Sequence, residues 1–410
     1  MAVYEMSAAP GAPAPLPRLV ASVCLAFLAG HVVFLIGSYI DGSWLIAKDG
    51  GGVPSDFVNV WAAGKLALAG DPAAAYDWAT HKVIEESALG HAFDGYFGWH
   101  YPPTFLFVAA ALARLPYAVA YVVWTFGTLP AYLVAVRAII GDRIGYLLAA
   151  AFPAVLANVF VGQNGFLSAG LIGGALILLE RRPLAAGALI GLLTYKPHLG
   201  LLFPLALAAG GYWRAFLAAA MVAALMAAAS LFAFGGTSWT AFAANIPHAS
   251  QAFLSAGWAD WSKLQTAFGL VRTLGGSERL AWTVQVGIGL IAAGAVAALW
   301  LSRAPYELKA AALGTGAMLA TPYLYMYDVV VLAVPLAFLV RLGRAREFLP
   351  HELAAMGLAC LLIVIFPFVK APVGFASIVI VTALIARRAL MSTFHVPAAV
   401  QHQKRVHARL

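Results

Sequence analysis

The chain is a succession of apolar runs, most of them long enough to cross a lipid bilayer, separated by short turns carrying Arg, Gly or Pro. The runs cover residues 19–40, 117–137, 143–160, 164–180, 183–196, 198–211, 214–234, 281–301, 306–321, 322–341, 350–368 and 371–390. One crossing takes roughly 20 apolar residues, so the pattern predicts an all-α polytopic membrane protein of about 12 transmembrane helices. The pair 183–196 and 198–211 is short for full crossings and reads alternatively as a hairpin enclosed by protein, which lowers the count to ten or eleven. Composition agrees. Hydrophobic residues make up 63% of the 410 and charged residues only 10%, whereas soluble domains run about 45–50% and about 25%. A soluble globular domain, a disordered chain and a disulfide scaffold are thereby excluded.

The formal net charge of +8 does not point to nucleic acid, because the basic residues sit singly or in pairs at the ends of apolar runs. With the N-terminus in the cytoplasm, 16 of the 25 Lys and Arg fall on the inner side, as the positive-inside rule expects. Both termini are then cytoplasmic. Residues 1–18 form a short tail, 19–390 a single membrane domain, and 391–410 a basic tail with Lys404 and Arg405 suited to anionic lipid. The first apolar run is longer than a signal-peptide core and is expected to be retained.

Two segments do not span in this reading: residues 41–116 and 235–280, both on the extracytoplasmic side. Loops this long in a compact protein are uncommon unless functional. Within the first, residues 56–68 and 78–89 have helical apolar spacing and suit the membrane surface, and the run 103–113 is too short to cross. The same side gathers polar residues that have no obvious structural role, namely Asp56, His100, Gln163, Asn164, Lys196, His198, Tyr327 and Asp328.

Each of these has two readings. Asp56 is a helix-terminus acid that favours the macrodipole, or a general base able to take a hydroxyl proton. Gln163-Asn164-Gly165 is a turn, or a pair of amides aimed at sugar hydroxyls or phosphate oxygens. Lys196 either snorkels to the interface or meets an anionic phosphate, since a lysine at membrane depth is functional by default. Asp328 needs a partner at that depth, and Lys196 or His198 would serve; structural pairing and substrate contact stay open. His100-Tyr101-Pro102-Pro103 is a rigid helix start or part of an aromatic sugar platform. Trp258, Trp261 and Lys263 in the second loop are equally ambiguous. Nucleotide-binding glycine patterns, zinc motifs and a nucleophile elbow are absent. A transporter or flippase of lipid-linked saccharides is the alternative class, but it would want charges at mid-membrane and internal repeats.

The chain resembles glycosyltransferase family 87, the polyprenol-phosphate-mannose-dependent α-1,2-mannosyltransferase-like membrane proteins of the GT-C superfamily. The resemblance runs from Asp56 through Gly64, Gly70 and Tyr76 to Tyr101-Pro102-Pro103, then Gly162-Gln163-Asn164, Gly187…Gly191…Lys196-Pro197 and Pro322…Tyr327-Asp328. It implies a GT-C-like bundle in the inner (plasma) membrane with a long, partly helical first extracytoplasmic loop. It also implies transfer of a hexose, mannose foremost, from a polyprenyl-phosphate donor to a glycolipid or glycan acceptor, with inversion and with Asp56 as base. Lys196 and Gln163 would hold the donor phosphate, while His100, Tyr101, Asn164, His198, Tyr327 and Asp328 would shape the pocket. Many GT-C families carry paired acids tied to a metal in the first loop; Ser55-Asp56-Phe57 offers one, so no metal or other cofactor is expected. The partners are donor, acceptor and membrane lipid, with no nucleic acid.

Overall fold

The computed structural model describes residues 16–394. Both tails therefore lie largely outside the described residues, the basic C-terminal one almost entirely. The fold is all-helical, with one isolated bridge between Ile46 and Gly52. In order, the helices are α1 (Arg18–Asp41), α2 (Phe57–Leu68), α3 (Trp78–Leu89), α4 (Leu106–Leu112), α5 (Tyr117–Ile140), α6 (Ile144–Ala150), α7 (Ala154–Val161), α8 (Gly165–Leu178) and α9 (Pro183–Gly191). They continue with α10 (Pro197–Gly200), α11 (Phe203–Ala209), α12 (Trp213–Ser250), α13 (Ala267–Thr273), α14 (Glu278–Leu301), α15 (Tyr306–Leu319), α16 (Ala333–Arg346), α17 (Glu352–Ile365) and α18 (Val373–Phe394). Helix is what lipid demands, because a helix satisfies its backbone polar groups within one segment.

Every predicted apolar run is helical, but among the described residues only six helical segments are long and apolar enough to cross a membrane. They are Arg18–Asp41, Tyr117–Ile140, Trp213–Ser255, Glu278–Leu301, Met326–Arg346 and Val373–Met391. A seventh arises if α6 and α7 count as one span bent by 60°, the bend falling at Ala151-Phe152-Pro153, where proline removes a helix hydrogen bond. The 183–211 region breaks likewise: α9 passes into a 3-10 turn at Leu192–Tyr195, and Pro197 then starts α10. The segment 322–341 becomes helical only at Met326.

The second loop differs from its expectation. The predicted span 214–234 stops at Gly235, whose backbone (φ 75°, ψ 163°) leaves the helical region. Beyond that break the chain resumes as helix to Ser250 and a π turn to Ser255. The helices of the first loop fall as predicted, but α2 does not lie on a membrane surface. Phe57, Val58, Ala62 and Ala63 have no exposure, and α2 packs against α3, α4 and α5. A Cβ built on Gly64 would stand 2.0 Å from the Ala109 carbonyl oxygen in α4, so only glycine permits this approach. On α3 the buried residues His81, Glu85 and Leu89 form one face. The glycines Gly187 and Gly191 serve close packing against α12, where a Cβ would meet the Ala215 and Ala219 carbonyls. At the centre lies the segment Met326–Arg346, 83% buried against 6% for α1, and it carries Tyr327 and Asp328 at its start.

Candidate active site

Asp56 occupies the N-cap of α2, but its side chain makes no capping bond. Its neighbours Asp71 and Asp77 do cap, accepting from the Ala74 and Thr80 amides at 3.2 and 2.8 Å. Instead, Asp56 Oδ2 accepts from Gln163 Nε2 at 3.1 Å. The turn that brings Gln163 there follows α7. Gly162 takes φ 67°, and a Cβ on it would meet Phe57 and Tyr121 at 2.7 Å. Asn158 Oδ1 then accepts from the Gly165 amide at 2.9 Å, and Gly165 itself packs on the Tyr327 carbonyl. The turn is thus wedged between the start of α2 and the start of the central segment.

From Gln163 a single hydrogen-bonded chain continues inward. Tyr101 Oη donates to Gln163 Oε1 at 3.0 Å and accepts from Asn164 Nδ2 at 2.7 Å. Asn164 Oδ1 accepts from Lys196 Nζ at 2.8 Å, and Lys196 pairs with the Asp328 carboxylate. Asp328 Oδ2 also accepts from the Tyr325 amide at 3.2 Å. Gln163, Asn164, Lys196 and Asp328 are each no more than 4% exposed, so each polar group must be paired, and they are. Tyr327 lies beside the chain, its ring centroid 5.3 Å from Lys196 Nζ and stacked on Tyr325 at 5.7 Å. Every donor in the chain points the same way, from the Lys196 ammonium towards Asp56, and such aligned bonds reinforce one another.

Asp56 itself remains partly exposed. Burial pushes its carboxyl up from the ordinary value to about 6, opposed by the Gln163 bond and the charges of Lys263 and Lys196. Near neutral pH it is ionised yet more basic than an ordinary aspartate, which suits a general base.

Two predicted site residues stand apart from this chain. His100 turns away, its Nδ1 at 3.4 Å from Asn245 Nδ2 and its ring against Phe253 at 5.0 Å. Burial pushes it down to about 4, so it is neutral at physiological pH. His198 keeps Nε2 enclosed and without a hydrogen bond among the described residues; the partner of Asp328 is Lys196. Three contributors went unassigned in the sequence. Tyr76 Oη donates to the Tyr101 carbonyl at 2.8 Å, and Tyr195 Oη meets Ser168 Oγ at 2.6 Å beneath Asn164. Lys263 is an exposed cation whose charge reaches Asp56. Tyr76 and Tyr195 sit within the sequence blocks around Gly64 and Lys196, and Lys263 belongs to the Trp258, Trp261 and Lys263 group of the second loop, whose reading stayed open.

A cavity of about 700 Å³ opens between residues 73–79 and the second half of α12, lined by Tyr76, Trp78, Asn245, His248 and Trp258 among others. Tyr76 connects its wall to Tyr101. Among the described residues no group of three or more His, Cys, Asp or Glu is arranged to hold a metal ion.

A helical membrane protein with a partly exposed carboxylate at the end of a buried, directional polar chain belongs to the class of membrane-embedded proteins built around a polar site. The profile of glycosyltransferase family 87 matches residues 99–322, more than half of the chain, and the protein belongs to that family of glycosyltransferases. The match includes His100, Tyr101, Gln163, Asn164, Lys196 and His198, whereas Asp56, Tyr327 and Asp328 fall outside it. No curated protein and no solved structure matches the chain.

Proposed function

We propose that this glycosyltransferase moves a hexose, with mannose the sugar to test first, from a polyprenyl-phosphate donor to a hydroxyl of a glycolipid or glycan acceptor. The observation that carries the reading is the Asp56 carboxylate, partly exposed, raised to about 6 and fixed in orientation by Gln163. In the transfer step the acceptor oxygen forms a bond to the sugar's anomeric carbon as the bond to the phosphate oxygen breaks. The electron pair of the broken bond leaves on the phosphate, and Asp56 takes the acceptor proton. Attack opposite the leaving phosphate inverts the anomeric centre.

In this reading Tyr101, Gln163, Asn164, Lys196 and Asp328 orient the base, because their polar atoms are largely engaged with one another. Tyr327, His100 and His198 line the surroundings, and no divalent metal or other cofactor is needed. The cavity beside Trp78 and Trp258 has room for the saccharide of an acceptor. The enzyme acts from the inner (plasma) membrane with both termini cytoplasmic and Asp56 on the extracytoplasmic side. The apolar segments form a GT-C-like bundle around the buried segment Met326–Arg346.

The test uses purified protein in nanodiscs, radiolabelled polyprenyl-phosphate mannose and a glycolipid extract of the host membrane, with and without a chelator. Label passing to a glycolipid or glycan, unaffected by the chelator, is the expected result. A labelled donor that crosses the bilayer of proteoliposomes without transfer would move the assignment to a flippase.

A further inference from the structure

A lipid-linked phosphate arrives with negative charge and leaves with more, so the site needs a cation that is free to meet it. Lys196 is not free. It is 4% exposed, it bonds to Asn164 and Asp328, and its charge is cancelled by the Asp328 carboxylate beside it. The charge on Lys263, by contrast, acts on Asp56 more strongly than that of Lys196. It is exposed, and its ammonium has no hydrogen bond or ion pair among the described residues.

Its placement is not that of a loose surface lysine. Lys263 ends the 3-10 turn Trp261–Lys263. Asp260 holds φ +64°, a region that residues other than glycine rarely adopt, and its carboxylate accepts from the Ser262 amide at 3.0 Å. Trp261 Nε1 donates to the Leu254 carbonyl at 2.8 Å. Gln265, buried, ties the turn on three sides: its Nε2 donates to the Lys263 carbonyl at 3.0 Å, its Oε1 accepts from the Gly374 amide at 2.7 Å, and its backbone amide donates to the Leu324 carbonyl at 2.7 Å. Leu264 packs in the cluster that includes Tyr325, and the Tyr325 amide caps Asp328. The turn is therefore locked to the same strip of chain, residues 324–328, that closes the inner end of the polar site. The Asp260 carboxylate feels the charges of both Lys263 and Lys370, and Lys263 also acts on Asp56.

We propose that Lys263 is the phosphate-binding cation of this enzyme, meeting the phosphate of the lipid-linked donor and holding it as it leaves with the electron pair of the broken glycosyl bond. The assignment rests on the polyprenyl-phosphate reading above and adds to it the residue that grips the leaving group. A lysine suits this role as a compact point charge. Because the leaving phosphate gains charge during transfer, the contact strengthens towards the transition state and lowers the barrier to transfer.

The experiment measures binding in phosphatidylcholine nanodiscs, which carry no competing anionic lipid. Wild type, Lys263→Gln, Lys263→Arg and Lys370→Gln are titrated with undecaprenyl phosphate, with neutral undecaprenol and with inorganic phosphate. The expected result is saturable binding of undecaprenyl phosphate, weakened about ten-fold or more in Lys263→Gln, the factor that one charge-assisted contact carries. Lys263→Arg should bind within about three-fold of wild type, and undecaprenol should bind all four alike. Equal binding of undecaprenyl phosphate by wild type and Lys263→Gln overturns the assignment and leaves the donor reading standing, as does an equal loss in Lys370→Gln. Inorganic phosphate binding as tightly as the lipid would make this a site for a free anion and overturn it too. No binding of undecaprenyl phosphate by wild type would bring down both readings.

Discussion

Replacing Asp56 by Asn removes the base and little else. Asn has the same shape, and its carbonyl oxygen can still accept from Gln163 Nε2, so the chain through Tyr101, Asn164 and Lys196 keeps its polarity. General-base catalysis contributes about 10²–10⁴-fold, equivalent to about 3–5 kcal/mol at 1.36 kcal/mol per factor of ten. Initial rates of label transfer in nanodiscs should fall by that factor. The wild-type rate should also report the carboxyl itself. The base acts ionised, and burial sets its pKa at about 6, so activity is lost as pH falls through that value. Relative to the high-pH plateau, about nine-tenths should remain at pH 7 and about a tenth at pH 5. Stability has the opposite sign. A carboxyl raised in the folded state favours folding at low pH, and that contribution is lost as pH rises through about 6. Asp56→Asn should therefore melt no lower than wild type at pH 7.5. A variant that keeps more than about a tenth of the rate, or a wild-type profile flat from pH 5 to 7, refutes the reasoning. A lowered melting temperature would show instead that the lost activity came from misfolding.

Three other perturbations follow from the packing. Lys196→Met leaves the Asp328 carboxylate buried alone and should cost about 3–5 kcal/mol; the double change Lys196→Met with Asp328→Leu should recover much of it in thermal unfolding in detergent. Gly64→Ala places a methyl against the Ala109 carbonyl of α4 and should cost about 1–3 kcal/mol, lowering both the melting temperature and transfer, since Asp56 heads the same helix. Glu85 and His81 stand 3.6 Å apart and fully buried. Burial raises Glu85 to about 8 and lowers His81 to about 3, so at pH 7 they are a neutral pair rather than an ion pair. The contribution of a protonated Glu85 is lost as pH rises through about 8; melting temperature should drop between pH 7 and 9.5 in wild type and drop less in Glu85→Gln.

The apolar runs, with few charges and with Gly or Pro between them, dictate helices in a membrane, because no other open structure satisfies a backbone in lipid. The same local pattern placed α2, α3 and the 103–113 helix within the first loop to within a residue or two. It also brought out Asp56, Gln163, Asn164, Lys196 and Asp328 as polar groups that a bilayer-sized protein carries at a cost. What a linear reading did not reach depends on contacts between distant segments. It took α2 for a surface helix, because amphipathic spacing is the same whether the apolar face meets lipid or α4. It took 235–280 for a loop, because a break at Gly235 is local whereas the helix beyond it is held by packing on the first loop. It left Lys196 poised between phosphate and protein. Only the fold sets Lys196 against Asp328, turns His100 to Asn245, and locks the turn of Lys263 to residues 324–328. These outcomes join groups more than 100 residues apart in the chain, or, for Lys263, about 60. Hydrophobic periodicity and turn chemistry act over a few residues, so they determine which segments are helices, while the pairing of buried charges is decided when the helices pack.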